Sequence, residues 1–302
     1  MDRFDAMSVL LAVVEEGSLS AGARRLGTPL ATISRKVSDL EQHLGTKLLV
    51  RTSRRVVLTD AGRGYVEASK RILEQVEEAE KIAAGEYREP RGQLAITTPV
   101  VFGRLHVLPV ATEFLAAHPQ IDLRMYMIDR YVNLLDEHLD VGVRLGHLED
   151  SALIATRVGQ VRRVICASPA YIARRGKPNL PEGLRDHDGI TFQGFSTSPG
   201  WRYRGDSEAL AVEPQTRMAV NSVEAAIDAA VAGVGIVRVL SYQVVDQIRS
   251  GTLVPLLEDF EPEPLPVQLV YAGLGTLPLK VRAFVDWTVP RLRARLAALG
   301  LD

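Results

Sequence analysis

Near residue 92 the spacing of apolar residues changes, and the change divides the chain into two parts that must fold differently. Before it, apolar residues recur every three or four positions, which predicts amphipathic helices. After it, short apolar runs alternate with helical stretches, which predicts strands joined by helices. The length of 302 residues is enough for two or three packed units.

The first 26 residues predict two helices. Asp2 can cap the first helix, which should end at Gly17 because glycine tolerates the left-handed conformation of a helix terminus. The apolar positions of this helix are Phe4, Met7, Leu10, Leu11 and Val14. A second, short helix is expected over residues 21–26, with Ser18 or Ser20 as its cap.

A third helix is expected to begin at Thr28 and Pro29 and to run to about Leu44. Threonine can satisfy the unpaired N–H groups of a helix start, and proline fits the first helical position. The apolar stripe of this helix consists of Ile33, Val37, Leu40 and Leu44. Such a stripe should pack on the first two helices.

The side of the third helix opposite this stripe suits the major groove of DNA. Ala31 and Arg35 fall nearly opposite the stripe, and Thr28, Thr32 and Ser34 fall beside them. Small side chains let the backbone approach DNA, and the helix N-terminus attracts phosphate. Arg35 can donate two hydrogen bonds to guanine or phosphate.

Two short β-prone runs, 48–50 and 56–58, predict a hairpin after the third helix. The segment between them contains Arg51, Thr52, Arg54 and Arg55. Three helices followed by a basic hairpin are the order of a winged helix-turn-helix, in which wing arginines reach the DNA backbone or minor groove.

Positive charge is concentrated in this region, although the formal net charge of the whole chain is −1. Residues 18–58 contain eight Arg or Lys and two acidic residues, which gives this segment a charge of +6. A single arginine on a helix is usually a solvated surface residue. The agreement of helix caps, stripe and basic hairpin instead predicts a surface that binds double-stranded DNA.

A long helix is predicted from residue 60 or 61 to residue 84 or 85, with Thr59 as its cap. Its seam residues are spaced alternately four and three apart, as in a coiled coil: Tyr65, Ser69, Ile72, Val76, Ala79 and Ala83. The seam could pack on the C-terminal part of the same chain. A helix-turn-helix favours a dimer instead, because two-fold dimers place two recognition helices about 34 Å apart.

The C-terminal part predicts two α/β lobes with mostly parallel sheets. The first lobe should contain strands over 94–98, 121–128 and 140–146 and helices over 99–118 and 132–137. The second should contain strands over 162–168, 190–195, 216–222 and 233–239, with helices after Pro169 and over 223–232. A strand over 267–273 and a helix over 279–299 should return to the first lobe, so that two crossings leave a hinged cleft.

These patterns predict an α/β protein with an N-terminal helical domain that carries a wing. The winged helix-turn-helix comprises residues 1–59, and a linker helix with a hinge comprises residues 60–91. Residues 92–302 form the two-lobed domain, with lobe I at 92–162 and 266–302 and lobe II at 163–265.

Ligands of such lobes bind where strands end and helices begin. Thr97 and Thr98 end a predicted strand before a proline, so the following helix start offers N–H groups to an anion. Thr–Pro is also simply a good helix cap. Asn221 and Ser222 lie at the equivalent junction of the second lobe, and Arg144 could supply a cation.

Enzymes and solute-binding proteins also use two α/β lobes with a cleft. The sequence has no GxSxG, P-loop, GxGxxG or metal-ligand spacing, so no enzyme activity, metal or cofactor is predicted. A catalytic triad assembled only in the fold would leave no such pattern. A solute-binding protein would need an export signal and would have no use for residues 1–90.

The single cysteine, Cys166, lies in the apolar run 164–167, which predicts a buried strand in a protein of the reducing cytoplasm. No stretch reaches the roughly 18 uninterrupted apolar residues of a membrane span, so no membrane partner is expected.

Five segments of the sequence are similar to one family of proteins. The first, residues 18–62, reads SLSAGARRLGTPLATISRKVSDLEQHLGTKLLVRTSRRVVLTDAG and is the most specific. The others read DVGVRLG, VRRVICASPAYIARRGKPNLPEGLRDH, VNSVEAAIDAAVAGVGIV and SGTLVPLL. Together they resemble the LysR-type transcriptional regulators over nearly the whole chain.

The resemblance implies a bacterial regulator whose reader binds operator or promoter DNA, with residues 19–38 as the helix-turn-helix. The DNA-facing residues would be Thr28, Pro29, Leu30, Ala31, Thr32, Ser34, Arg35, Arg51, Thr52, Arg54 and Arg55. Many family members carry a polar residue, often glutamine, where this chain has Leu30, so a familiar operator sequence is not expected to transfer.

The resemblance also implies a C-terminal domain with the fold of periplasmic binding proteins, which binds a small-molecule effector such as an organic anion. The effector-binding residues would be Thr97, Thr98, Pro99, Val100, Val101, Arg144, Gln193, Phe195, Ser196, Asn221 and Ser222. The other expected partners are further copies of the chain, as a dimer, tetramer or larger assembly, and RNA polymerase. The regulator would be cytoplasmic and lie on the nucleoid when bound to DNA.

Overall fold

The computed structural model of the chain describes residues 1–51, 56–83, 89–148, 153–192, 201, 203, 212–273 and 277–300. The chain forms two compact units, Met1–Arg88 and Glu89–Asp302. The long helix therefore belongs to the N-terminal unit.

The N-terminal unit contains the three helices, the hairpin and the long helix that the sequence predicts. Its elements are α1 (Arg3–Glu15), α2 (Leu19–Arg25), α3 (Leu30–Leu44), β1 (Leu49–Arg51), β2 (Val56–Leu58) and α4 (Asp60–Ala83). The two strands pair antiparallel, with Leu49 opposite Leu58. The predicted winged helix-turn-helix fold is confirmed.

Most predicted caps of these helices are present. Asp2 Oδ1 accepts a hydrogen bond from the N–H of Phe4 at 3.0 Å, and Gly17 has a φ of +70° after α1. Ser18, rather than Ser20, caps α2: its Oγ accepts from the N–H of Ala21 at 3.1 Å.

Thr28 does not cap α3, which corrects the sequence prediction. Gly27 is left-handed with a φ of +59°, and the N–H of Thr28 donates to the carbonyl of Ala23 at 3.0 Å. This is the pattern of a Schellman motif, which ends α2. The Thr28 hydroxyl donates to the carbonyl of Leu26 at 3.1 Å, because the short turn brings it to the end of α2 rather than to α3.

The core of the N-terminal unit contains the predicted stripe of α3. Ile33, Val37 and Leu40 are fully buried, whereas Leu44 in the last turn is exposed. Phe4, predicted as an apolar contact of α1, is also exposed because it lies in the first turn. The predicted stripes are therefore correct in the middle of each helix and wrong at one end.

A close contact between backbones joins α4 to the hairpin. A Cβ added to Gly62 would lie 2.1 Å from the carbonyl oxygen of Leu48, so only glycine fits there. Thr59 caps α4 as predicted: its Oγ1 accepts from the N–H of Gly62 at 2.9 Å and donates to the carbonyl of Lys47 at 2.7 Å.

Lobe I is built around a five-stranded sheet. Its elements are β3 (Gly92–Thr98), α5 (Val100–Phe102), a π-helical turn (Gly103–Val107), α6 (Leu108–Ala117), β4 (Ile121–Met127), β5 (Val141–Leu145), β6 (Leu153–Val161), β12 (Leu265–Ala272) and α10 (Leu279–Ala297). The strand order is β4-β3-β5-β12-β6, so the C-terminal strand returns to the first lobe as predicted.

Lobe II contains a second five-stranded sheet, in the order β11-β7-β10-β8-β9. Its strands are β7 (Arg163–Ala167), β8 (Asp188–Phe192), β9 (Gln215–Val220), β10 (Ile236–Leu240) and β11 (Val254–Leu256). Its helices are α7 (Pro169–Arg175), α8 (Val223–Val231) and α9 (Val245–Arg249), with 3₁₀ turns at Pro181–Asp186, Ser241–Gln243 and Glu258–Phe260. Cys166 is fully buried in β7, and burial raises the pKa of its thiol to about 12.

The prediction of mostly parallel sheets is wrong for half of the pairings. In the described strands of the two lobes, four pairings are parallel and four are antiparallel. The reversed strands are β12 in lobe I and β7 in lobe II, which are the strands on which the chain enters each lobe from the other. The two crossings that create the cleft therefore also interrupt the parallel order.

Three local predictions for lobe I need correction. Residues 134–138 form a turn rather than a helix, and Asn133 Oδ1 accepts from the N–H of Leu135 at 3.0 Å, which favours a turn. A π-helical turn at Gly103–Val107 interrupts the predicted helix over 99–118. The strand β6 was not predicted, because its exposed and buried residues do not alternate regularly.

Among the described residues, the helical stretch Val100–Ala117 is long and apolar enough, by length and composition alone, to span a membrane. Counting α1 and α2 together would add a second candidate, although the two helices are bent by 116°. Phe102, Val107 and Phe114 are fully buried in the core of lobe I. This packing is that of a core helix.

Candidate DNA-binding surface and effector site

The face of α3 opposite its buried stripe is exposed, as predicted. Leu30 is 47% exposed, and Pro29, Ala31 and Arg35 are exposed beside it. Thr28, Thr32 and Ser34 lie half-buried at its edge. The structure thus brings the predicted residues of α3 onto one surface.

The N-terminus of α3 is open. Pro29 precedes the helix with a ψ of 138°, and the N–H groups of Thr32 and Ile33 both donate to its carbonyl. The N–H groups of Leu30 and Ala31 have no acceptor within the described residues. They are free to donate to a phosphate, which the helix dipole also attracts.

Three of the basic residues counted in the sequence are neutralised within the N-terminal unit. The ion pairs are Arg25 with Glu15, Lys36 with Asp5 and Lys47 with Glu41, with N···O distances of 2.6–2.7 Å. Arg24 and Arg35 form no ion pair with any other described residue. The charge count missed two of these pairings because Asp5 and Glu15 lie outside residues 18–58.

Glu41 is a structural residue that the sequence reasoning missed. Its carboxylate is 3% exposed and accepts hydrogen bonds from the N–H groups of Leu48 at 2.9 Å and Leu49 at 3.1 Å, and from Lys47 Nζ at 2.7 Å. Burial alone would raise the pKa of Glu41, but these donors outweigh it and hold the pKa below its usual value. An acid in line with the apolar stripe, four positions after Val37, was the available signal.

Arg51 ends β1, opposite Val56 of β2. The other predicted wing residues, Thr52, Arg54 and Arg55, lie outside the described residues. Their contacts with DNA stay a prediction.

The first two residues of the predicted seam on α4 pack within the single chain. Ser69 is fully buried within the single chain and Tyr65 is half-buried, packed on the core that contains Val66. Ile72 is 36% exposed and Val76 is half-buried. Ser69 is therefore unavailable to a second copy, and the surface open to a partner starts at Ile72. The side chains of Ala79 and Ala83 lie outside the described residues.

Thr97 and Thr98 are fully buried at the end of β3 and do not cap the following helix, contrary to the prediction. The helix begins at Val100, and the N–H of Val100 donates to Asp129 Oδ1 at 3.0 Å. The Thr97 hydroxyl has no hydrogen-bond partner among the described residues. Asp129 was missed because it lies in a loop far along the sequence.

This carboxylate changes the electrostatics of the predicted effector site. The sequence predicts that an anion would bind at the start of α5 beside Pro99, Val100 and Val101. Asp129 already places a negative charge there. An anionic ligand would have to displace this side chain or bind elsewhere.

Arg144 lies near the end of β5 and keeps its charge without an acidic partner in the described part of the chain. Its guanidinium donates to the carbonyls of Val132 at 2.9 Å and Val143 at 3.3 Å, and lies 5.7 Å from the centre of the Tyr131 ring. Burial lowers the pKa of Arg144. Carbonyl dipoles and an aromatic face thus hold a cation that a ligand anion could still neutralise.

Of the effector-binding residues predicted in lobe II, one forms hydrogen bonds within the protein and one is exposed to solvent. Ser222 caps α8, because its Oγ accepts from the N–H of Ala225 at 3.3 Å and donates to Glu224 Oε2 at 3.0 Å. Asn221 is exposed. Gln193, Phe195 and Ser196 lie outside the described residues, so their part in a ligand site stays a prediction.

Direct contacts between the lobes were not predicted from the sequence. Arg104 of lobe I lies 3.6 Å from Glu224 of lobe II. The Tyr242 ring packs edge-on against the rings of Phe102 and His106, with distances between ring centres of 5.3 Å and 5.5 Å. Burial lowers the pKa of His106 to about 4, so this imidazole is neutral near pH 7.

Two family models match the chain over most of its length. Residues 4–63 match the bacterial regulatory helix-turn-helix protein model of the lysR family, and residues 87–293 match the LysR substrate binding domain. The chain belongs to the LysR family of transcriptional regulators.

Curated relatives and solved structures agree with this assignment. An HTH-type transcriptional repressor of Pseudomonas aeruginosa is 33% identical over 310 residues, covering 100% of this chain and 98% of the relative. The structure of CrgA, a LysR-type regulator of Neisseria meningitidis, is 30% identical with a TM-score of 0.60, covering 95% of this chain and 98% of that one. Full-length AphB, a virulence activator of Vibrio cholerae, is 26% identical with a TM-score of 0.61, covering 95% and 99%.

This LysR-family protein is therefore a transcriptional regulator with a DNA-binding helix-turn-helix domain and a C-terminal effector-binding domain. The open face of α3 belongs to the first domain and the two lobes form the second.

Proposed function

We propose that this LysR-family regulator binds its operator through the exposed face of α3 and the arginines between β1 and β2. A small molecule between the lobes changes how far they close, and this closure alters how dimers pair and how far the operator bends. The open start of α3 beside Arg35, which has no acidic partner among the described residues, carries the first part of the proposal.

The surface of α3 supports a mixed mode of recognition. The N–H groups of Leu30 and Ala31 hold a phosphate, and Arg35 donates to a guanine or to the backbone. Leu30 is exposed and apolar, and it packs on a thymine methyl group rather than forming a hydrogen bond. The operator of this regulator therefore contains a thymine where relatives with glutamine at this position read a polar base edge.

The hinge between the lobes supports movement of one lobe on the other. The chain crosses at Arg162, whose N–H donates to Ser241 Oγ at 3.0 Å and whose carbonyl accepts from the N–H of Ser241 at 2.8 Å. Arg162 also pairs with Glu261 at 2.8 Å beside the return crossing. These contacts fix the position of the crossing about which the lobes rotate. The ion pair of Arg104 with Glu224 joins the lobes at another place.

The regulator acts in the cytoplasm as a dimer or larger assembly, paired through α4 from Ile72 onward, and meets RNA polymerase at its promoters. It has no catalytic activity. Sedimentation of the parent and of Ile72→Glu tests the seam, since an unchanged assembly would exclude it. Turnover of candidate metabolites by the purified protein would overturn the absence of catalysis.

Gel retardation on the DNA immediately upstream of its own gene, at several salt concentrations, tests operator binding. We expect a complex that weakens steeply with salt, because cationic contacts release counterions from DNA. A purified, folded chain that shows no salt-sensitive affinity for this DNA or for any selected genomic fragment would refute the proposal. Footprints of equal extent and bend with and without a bound effector would refute the closure mechanism alone.

A further inference from the structure

Two arginines share one face of the lobe II sheet. In the antiparallel pair of β10 and β7, Arg238 lies opposite Ile165, and Leu240 lies opposite Arg163. Opposed residues of an antiparallel pair point to the same face, so the two arginines are diagonal neighbours with Cα atoms about 7–8 Å apart.

Neither arginine is neutralised. Both side chains are half-buried, and in the described part of the chain neither guanidinium forms a hydrogen bond or an ion pair. Burial lowers the pKa of Arg163. Burial and the neighbouring charge of Arg163 lower the pKa of Arg238 to about 10. Two neighbouring, partly buried cations repel each other, so an anion between them would be stabilising.

Two aromatic residues lie near Arg238 in the described part of the chain. Its Cζ lies 5.9 Å from the centre of the Trp201 ring. Tyr203 is 4% exposed and packs in the same small core as Ile165, and its buried hydroxyl has no hydrogen-bond partner among the described residues. Tyr203 is close enough to Arg238 for its phenol to affect the arginine electrostatically.

These groups are complementary to one kind of ligand. Guanidinium groups donate hydrogen bonds and carry charge but accept none, and they match carboxylate or phosphate oxygens in pairs. A phenol hydroxyl can donate a further hydrogen bond, and an indole ring offers a flat apolar wall. We propose that Arg163, Arg238 and Tyr203 form an oxyanion-binding site in lobe II, walled by Trp201, for a small carboxylate or phosphate.

This site does not use the residues predicted for the effector. Val237 and Val239, which alternate with Arg238 along β10, pack in the core that contains Ala226 and Ala230 of α8. The arginines therefore lie on the face of the sheet away from α8 and its Ser222 cap. The proposal does not depend on DNA binding.

A purely structural role of the two arginines and a role in anion binding predict opposite changes in stability when one arginine is removed. If the two arginines only cover the sheet with their alkyl chains, removing one would lower stability through lost packing. If they form an anion site, removing one in anion-free solution relieves an uncompensated charge and raises the melting temperature. Methionine keeps much of the side-chain volume and removes the charge together with the N–H donors.

The test uses the full chain with Trp287→Phe, which leaves Trp201 as the only tryptophan because the sequence has two. Benzoate and inorganic phosphate are titrated separately at constant ionic strength, with chloride as the balancing salt, while Trp201 emission and the melting temperature are recorded. We expect a saturable emission change and a rise in melting temperature with one of the two anions. The anion that produces them shows whether the ligand carries a carboxylate or a phosphate.

Arg238→Met and Arg163→Met, each made separately, should weaken this binding by about 10- to 100-fold, the usual loss for a charged hydrogen-bond partner. The control is Arg217→Met, since Arg217 is an exposed arginine of lobe II already paired with Asp188 at 3.2 Å. Its anion affinity should equal that of the parent. Two variants are used so that a folding defect in one leaves the other informative.

Three results would overturn the proposal. One is the absence of a saturable response to either anion up to about 10 mM, well above the range of specific ligands. Another is an equal response in the parent and in both methionine variants. The third is a response that Arg144→Met abolishes and Arg238→Met leaves intact, because this would assign the anion to lobe I. Gel retardation without anion is a separate readout of the proposed DNA binding.

Discussion

The starts of two helices, one in each unit, share a threonine–proline pair but differ in what they can bind. Pro29 before α3 has φ −54° and ψ 138°, and Pro99 before α5 has φ −57° and ψ 144°. The dipeptide therefore fixes nearly the same backbone in both places. At α3 the first N–H groups are open, whereas at α5 the carboxylate of Asp129 accepts from Val100.

The difference teaches that a local sequence can set the shape of a helix start without setting its function. The start of α3 presents its positive dipole end to solvent beside Arg35, which suits phosphate. At the start of α5, Pro99 is buried beside Thr98, and the half-buried Val100 already has a counter-charge supplied by a distant loop. The first site is open to an anion and the second is occupied by one.

The largest effect is expected from Glu41→Ala, which removes the link between the C-terminal part of α3 and the first strand of the hairpin. Leu48 and Leu49 would lose the acceptor of their buried N–H groups, at a cost of about 2–4 kcal/mol in the free energy of unfolding of the N-terminal unit. Urea unfolding followed by circular dichroism measures this loss. Glu41→Gln keeps an oxygen acceptor and should lose less, so equal losses in both variants would contradict the prediction.

The same residue gives a pH dependence. Because the pKa of Glu41 is lower in the folded than in the unfolded chain, its stabilisation is complete above the usual carboxyl pKa. It is lost as the pH falls through the lower folded value. Glu41→Gln should flatten the acid limb of the unfolding curve of this unit, and an unchanged limb would show that Glu41 does not contribute.

The next largest effect is expected from Arg35→Ala on DNA affinity. The loss should be about 1–3 kcal/mol on the best operator and smaller on other sequences, because a guanine contact is lost together with charge. Competition gel retardation with point-mutated operators measures both quantities. Arg24→Ala, at an unpaired arginine of α2, is the matched control, and equal losses on all sequences for both variants would remove Arg35 from base recognition.

A smaller effect, about 1 kcal/mol of stability, is expected from Asp129→Ala, because the N–H of Val100 loses its acceptor. The variant converts the start of α5 into an open helix start like that of α3. Acetate should then shift the amide resonance of Val100 in a ¹⁵N–¹H spectrum, and the parent should show no such shift. An acetate response of the same size in the parent would mean that Asp129 does not block the site.

The smallest effect is expected from Arg54→Ala. If this arginine contacts one phosphate, affinity should fall on all sequences alike, and the salt slope should decrease by about one phosphate's worth. Affinity measured against salt concentration gives both values. A change of sequence preference in this variant would contradict a role limited to the backbone.

Much of the fold could be predicted because it follows from short-range patterns. The stripe of Ile33, Val37 and Leu40 placed α3 correctly, and short apolar runs predicted the strands of both lobes except β6 and β11. Regular spacing reports which face of an element is buried, and glycine or serine at its ends reports where it stops. These signals operate within about four residues along the chain.

The candidate sites were less predictable, because one depends on the direction of a tight turn and the other on a contact between distant positions. Thr28 was given to the start of α3, but Gly27 turns the chain so that Thr28 closes α2. The Asp129 carboxylate meets Val100 only after β3 and β4 pair. The spacing of apolar residues along a single helix or strand predicts neither contact.

The close approach of Gly62 to the carbonyl of Leu48 has a mechanical consequence. Because the two backbones touch with no side chain between them, and Thr59 bonds to both segments, the first turn of α4 and the base of the hairpin cannot slide past each other. A rotation of the far end of α4 would therefore rotate the base of the hairpin with it, as one rigid body. Regulation would then change the orientation of the hairpin relative to DNA without unfolding it.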